Sequence, residues 1–176
     1  MKLAPMSLLL AALLALPAAV ARSSPHEHGV VHLDVGVEGR IITLQMESPL
    51  DSLLGFERAP RTDAERRRAD AAVARLKAAD KLFAIDAAAQ CKLTKAELSS
   101  AALKLGPAAE PDPDGHADID GSFEFECADG ARAAFIDVGL FDVFARMQRI
   151  EVQTITPKAQ FKATLRRPQR RIALVR

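Results

Sequence analysis

The sequence predicts an α+β domain of two layers: a largely antiparallel sheet of about seven strands with two or three helices on one side. Three observations predict it. Apolar and polar residues alternate in several short segments, from Val31 to Met46, from Ile119 to Cys127 and from Val152 to Leu165. Such a period of two marks strands with one buried face. A segment of helical spacing stands between them, opened by the capping-box pattern Thr62-Asp-Ala-Glu65. Turn signals separate neighbouring strands, which favours hairpins, and hairpins with helices gathered on one side make this class.

The chain has 176 residues and opens on Met1-Lys2, an apolar run from Leu3 to Leu16 and the small-x-small triplet Ala19-Val20-Ala21. Residues 1–21 thus read as a secretion signal, and residues 22–176 as a single exported domain. An uncleaved anchor is the competing reading, but the run is shorter than the roughly 20 residues a span needs. No second run approaches that length, so no membrane span is expected after processing.

The first mature element is a hairpin. Val31, Leu33, Val35 and Val37 alternate with His32, Asp34 and Gly36, and Ile42, Leu44 and Met46 resume the pattern. A two-residue turn at Glu38-Gly39 pairs Val37 with Arg40, Val35 with Ile42, Leu33 with Leu44 and Val31 with Met46. The other face then sets His32 opposite Gln45 and Asp34 opposite Thr43, and His28 has the parity of His32. Pro49 ends the second strand. Leu50 to Phe56 reads as a short helix, with Leu50, Leu53 and Leu54 inward. From Thr62 a longer helix buries Val73, Leu76 and Phe83, while Asp63 with Arg67 and Arg66 with Asp70 form i,i+4 pairs on its wet side.

Cys91 starts a weakly alternating strand. Residues 106–115 hold three prolines and two glycines and read as a loop. Ile119, Phe123, Phe125 and Cys127 then alternate with Asp118, Ser122, Glu124 and Glu126. Leu140, Phe141, Phe144 and Met147 give the stretch from Phe135 to Met147 helical spacing. Strands at Val152–Thr156, Phe161–Leu165 and Ile172–Val175 close the chain.

Charge names no partner, because without the leader basic and acidic side chains are equal in number. The nine Arg and Lys from Arg146 to Arg176 face one acidic residue, Glu151, and one aromatic, Phe161. They read as solvated strand faces rather than an anion or membrane-surface site, and no nucleic acid is expected. In an exported chain the even pair Cys91 and Cys127 reads as a disulfide. A Cys/His metal site is the alternative, although neither cysteine has a CxxC-type neighbour.

Three of the four histidines cluster behind the leader: His26, His28 and His32. Imidazole suits zinc and neighbouring transition metals. On an extended chain His26 and His28 point the same way, and His32 joins them if the chain bends at Gly29. His116 opens the strand that carries Asp118. If the two strands run side by side, His28, His32, His116 and Asp118 approximate the His/carboxylate set that zinc prefers. The bland alternative leaves His26 and His28 on a frayed terminus. Asp112, Asp114, Asp118 and Asp120 suggest calcium instead, but Pro111 and Pro113 break EF-hand spacing. No Ser-His-Asp ordering, phosphate loop or HExxH helix is present, so no enzyme is expected. A metal-free envelope interaction module is the second alternative.

Several stretches also resemble the ZrgA-type zinc-regulated periplasmic proteins. They are His26-Glu-His-Gly-Val30, Glu47-Ser-Pro49 with Leu53-Leu-Gly-Phe-Glu57, Cys91-Lys-Leu93, and His116-Ala-Asp118 before Phe125-Glu-Cys127. Phe141-Asp-Val-Phe144 and Val152-Gln-Thr-Ile-Thr-Pro157 extend the likeness over nearly the whole mature chain, and the Glu-Ser-Pro…Leu-Gly-Phe-Glu run is its most specific piece. The resemblance implies a periplasmic Zn2+-binding protein of zinc uptake. Its metal residues would be His26, His28 and His116, and its partner a zinc-uptake transporter or that transporter's binding protein. Family members often carry a long His/Asp-rich loop before the position of His116. Here that loop is Glu110-Pro-Asp-Pro-Asp-Gly115, which points to a single structured site rather than a multi-ion buffer.

Overall fold

The computed structural model describes residues 27–107 and 117–175; the expected leader, His26 and His116 lie outside them. The described residues form nine strands and three α-helices. In chain order these are β1 (Val30–Glu38), β2 (Ile41–Pro49), α1 (Leu50–Leu54), α2 (Asp63–Lys77), β3 (Phe83–Ile85), β4 (Cys91–Ser99), β5 (Asp118–Cys127), β6 (Phe135–Val138), α3 (Leu140–Val143), β7 (Arg149–Ile155), β8 (Gln160–Leu165) and β9 (Arg171–Ala173).

Alternation builds the main sheet. Its six strands run in the order β4-β5-β2-β1-β7-β8, antiparallel throughout except for the parallel pair β1 and β7. Val31, Leu33, Val35, Leu44, Met46, Phe123 and Val152 point to one side and are buried. Ala69, Ala72 and Leu76 of α2 close over them, together with Leu50 and Leu54 of α1. The remaining cover is a second sheet, β3-β6-β9, whose Phe83, Ile136, Val138 and Ile172 complete the same core. Phe83 meets Phe123 across the two layers with ring centroids 5.3 Å apart. The α+β, two-layer architecture is the one expected, but it has nine strands rather than about seven.

The two additional strands lie in stretches expected to be helical. The spacing of Phe135 to Met147 suggested one helix. Instead Phe135–Val138 pairs with β3 and β9, Gly139 breaks the run, and only Leu140–Val143 is helical. Similarly, α2 ends at Lys77, and Phe83 belongs to β3 rather than to the helix stripe. Runs this short satisfy both periods, and pairing to a distant partner decides between them.

The hairpin register is shifted by two residues from the expected one. Val37 pairs with Ile42, Val35 with Leu44 and Leu33 with Met46, so His32 faces Glu47 rather than Gln45. The turn residues are Gly39 and Arg40, with Gly39 at φ +57°. A positive φ at the first central position suits the tight hairpin turn that needs glycine there. A shift of two preserves the inward set, which is why alternation alone did not distinguish the registers.

Cys91 and Cys127 face each other on β4 and β5 and form a disulfide. The capping box of α2 is complete, with Thr62 accepting from the Glu65 N–H and Glu65 accepting from the Thr62 N–H. Arg58 also reaches Glu65, at 2.7 and 3.0 Å. The wet-side partner of Arg66 is Asp63, one turn back, in place of Asp70. Among the described residues no helix is long and apolar enough to cross a membrane.

Candidate metal site

The segment from Glu27 to Val30 is pinned, not frayed. Glu27 to Val30 forms a turn closed by the Val30 N–H to the Glu27 carbonyl at 3.0 Å. Its third residue, Gly29, has φ +80°, the conformation a type II turn requires and glycine supplies without strain. Three hydrogen bonds hold this glycine. Its N–H donates to Ser52 Oγ at 3.0 Å. Its carbonyl accepts from the N–H groups of Gln148 at 2.8 Å and Arg149 at 3.0 Å. A Cβ at position 29 would lie 3.0 Å from the Gln148 side chain, so the close approach also needs glycine.

His28 occupies the outer corner of this turn, 60 % exposed. Its Nε2 lies 2.9 Å from Glu57 Oε1, and its Nδ1 lies 4.0 Å from Asp51 Oδ2. Both carboxylates come from the stretch with the most specific likeness to the family. Pro49 ends β2, Leu50–Leu54 makes one helical turn, and Gly55, at φ +82°, ends it in the left-handed conformation. That reversal carries Phe56 and Glu57 back past His28. The buried Ser52 reaches Gly29 from the same turn, and Arg68 of α2 donates to the Leu54 carbonyl at 3.0 Å. The motif therefore forms a cradle around the N-terminal histidine.

The second histidine arm reaches the same end of the sheet. Ala117, next in the chain to His116, accepts a hydrogen bond from the Leu50 N–H at 2.8 Å. Asp118 pairs with Pro49, and its carbonyl accepts from Ser100 Oγ at 2.6 Å. The two arms are not side by side, however, because β2 lies between β1 and β5. Two strand spacings, roughly 10 Å, separate them, and the connection runs through Pro49, Leu50 and Asp51.

His32 is placed differently. β1 begins only at Val30, so His28 does not share its strand face. His32 lies on the open face of the main sheet, with Nδ1 3.7 Å from Glu151 Oε2. Cross-strand pairing sets Asp120, Glu47, His32 and Glu151 in one row. An open groove there is lined by His32, Asp34, Glu47, Glu151 and Lys162. The Asp120 carboxyl is raised above its ordinary value, first by burial and then by the negative charge of Glu47. Arg149 joins the two regions, reaching Glu27 at 2.7 Å and Glu151 at 3.1 Å.

Among the described residues no three His, Cys, Asp or Glu side chains group closely enough to hold a metal ion. His28 and Asp51 form a pair. Their 4.0 Å separation is about 0.7 Å beyond the ~3.3 Å between neighbouring ligand atoms of a tetrahedral zinc with bonds near 2.0 Å. The sequence reading missed Asp51 and Glu57, 23 and 29 positions beyond His28. The available signal was the Glu-Ser-Pro…Leu-Gly-Phe-Glu run, which was read there only as a likeness.

Fold and site together define an α+β protein whose first strand is entered through a histidine held between two carboxylates. The chain belongs to the ZrgA family: the family model described as ZrgA family zinc uptake protein matches residues 25–174. Its role is thus in zinc uptake. No curated protein matches it.

Proposed function

We propose that this chain is a periplasmic zinc carrier rather than a catalyst, and that it takes Zn2+ at the His28 corner and passes it to an uptake system. The observation that carries this reading is the cradle itself. Glu57 engages one ring nitrogen of His28, which leaves Nδ1 directed to the side where Asp51 lies. A carboxylate behind one imidazole nitrogen fixes the ring and strengthens the other nitrogen as a ligand. In this reading His28 and Asp51 are the first two ligands. His26, His116 and Asp118 supply the others; Ala117, between the last two in the chain, accepts from Leu50, the neighbour of Asp51. His32, which faces Glu151 of β7, is outside this set. Export is supported by the leader pattern and by the Cys91–Cys127 bond, since disulfides persist in oxidising compartments.

The test is zinc competition against a chromophoric chelator on the stripped mature protein. Affinity should fall more than about tenfold in His28→Ala and in His116→Ala, and stay within about twofold in His32→Ala. Binding should weaken as the pH falls, because imidazole ligands must be deprotonated. Unchanged affinity in both His28→Ala and His116→Ala would remove this ligand set. High-micromolar binding by the unaltered protein would favour a metal-free envelope module. Cell fractionation with N-terminal sequencing tests export and cleavage after Ala21.

A further inference from the structure

The carboxylate assigned to zinc is already held by a cation. Arg146 Nη2 lies 3.1 Å from Asp51 Oδ1 and 3.3 Å from Oδ2, and Arg146 Nε donates to the Asp51 backbone carbonyl at 3.1 Å. Oδ2 is the oxygen that faces His28 Nδ1. The guanidinium and an ion bound at His28 would therefore compete for the same atom. The two partners differ in freedom. The Asp51 side chain is 16 % exposed and fixed on α1, whereas Arg146 is 58 % exposed and lies against Gly55, where no side chain blocks it. The arginine can swing into water, and the aspartate cannot follow.

We infer that Arg146 is the resident counter-cation of Asp51, an intramolecular competitor that zinc displaces on binding and that promotes zinc release when it returns. This deepens the reading above and rests on it. A delivery protein needs affinity high enough to capture and low enough to surrender, and a tethered positive charge lowers affinity without removing a ligand. Zinc carries twice the charge of the guanidinium and takes its place at Asp51 only after the Nη2 contacts to the carboxylate break. The arginine then remains nearby, as a like charge beside the loaded ion, and is kept there by its bond to the Asp51 carbonyl.

The experiment compares the mature protein with its Arg146→Gln, Arg146→Lys, Asp51→Asn and Asp51→Asn/Arg146→Gln variants. Zinc affinity is measured by competition and release by stopped-flow mixing with excess chelator. Arg146→Gln should bind on the order of tenfold tighter, mostly through slower release, as expected for removing one positive charge a few ångströms from the ion. Arg146→Lys should stay near the unaltered protein because the charge is kept. Asp51→Asn should weaken binding, and adding Arg146→Gln to it should change affinity little, because the contested oxygen has lost its charge. A merely structural Arg146 would give weaker binding in Arg146→Gln, and that result, or no change, overturns the proposal. If His28→Ala abolishes binding while Arg146→Gln has no effect, the carrier reading stands and only the competitor falls. If His28→Ala leaves binding intact, both fall.

Discussion

The anchor beneath His28 can be tested by deleting one oxygen. Ser52 is fully buried, and its Oγ is the acceptor for the buried Gly29 N–H at 3.0 Å. In Ser52→Ala that N–H loses its partner in a site closed to water. Leaving a buried donor unsatisfied costs about 1–3 kcal/mol, whereas a hydrogen bond exchanged for water costs far less. Gly29 keeps the two bonds to its carbonyl, so the turn should loosen rather than detach. Urea unfolding of the oxidised mature protein should therefore show a loss of about 1–3 kcal/mol with an unchanged slope. Zinc affinity should fall several-fold, because only molecules with the turn docked present His28 to Asp51. Ser48→Ala is the control. Ser48 is equally buried, but its hydroxyl donates to the adjacent Pro49 carbonyl at 3.2 Å instead of accepting from Gly29. It should leave zinc binding unaltered. A loss below about 0.5 kcal/mol in Ser52→Ala, with zinc affinity intact, would refute the anchoring argument.

Three further outcomes follow from the fold. Replacing Cys91 and Cys127 by alanine should cost about 3–4 kcal/mol in a urea titration, as expected from the entropy of opening a loop of roughly 37 residues; dithiothreitol on the unaltered protein should reproduce the shift. The Glu65 carboxyl is held down to about 2, first by the Arg58 hydrogen bonds and then by the Arg61 N–H. Its folded value lies below its unfolded one, so its contribution is complete above about 4.5 and is lost as the pH falls towards about 2. Glu65→Gln should therefore narrow the stability difference between neutral and acid pH, read as thermal midpoints across that window. Asp120 has the opposite sign. Its raised carboxyl favours folding in acid and disfavours it as the pH rises through the folded value. Asp120→Asn should stabilise the protein at neutral pH by roughly 0.2–1 kcal/mol, the scale for like charges directly opposed on neighbouring strands, and the gain should vanish in acid.

The sequence was most readable where its signal was local. The inward faces of β1, β2 and β5 follow from alternation, and the start of α2 follows from Thr62 and Glu65, because both rules act within a few residues. The hairpin offset did not follow, because registers two apart bury the same valines and leucines; the left-handed Gly39 selected one of them. β3 and β6 were missed for another reason. Phe83–Ile85 and Phe135–Val138 are too short to show a period; the first becomes a strand by pairing with the second, which pairs with β9 as well. The site divides in the same way. The histidines were visible as a cluster behind the expected leader. Asp51, Glu57, Ser52 and Arg146 were not, because their roles depend on a tertiary approach across up to about a hundred residues of chain.

The parallel pair β1 and β7 bears on how this chain can be shortened or assembled. Val30 lies beside Arg149, so the first strand to be synthesised is interior to the sheet and waits for one of the last to cover its flank. A chain cut anywhere between Cys127 and Gln148 would keep its leading hairpin but expose the other border of β1, an open ladder of donors and acceptors that invites other chains to add on. The same cut removes the two N–H groups that grip Gly29. The docked His28 turn therefore depends on the last quarter of the protein, and trimming that end should yield an aggregating fragment, not a smaller copy of the domain.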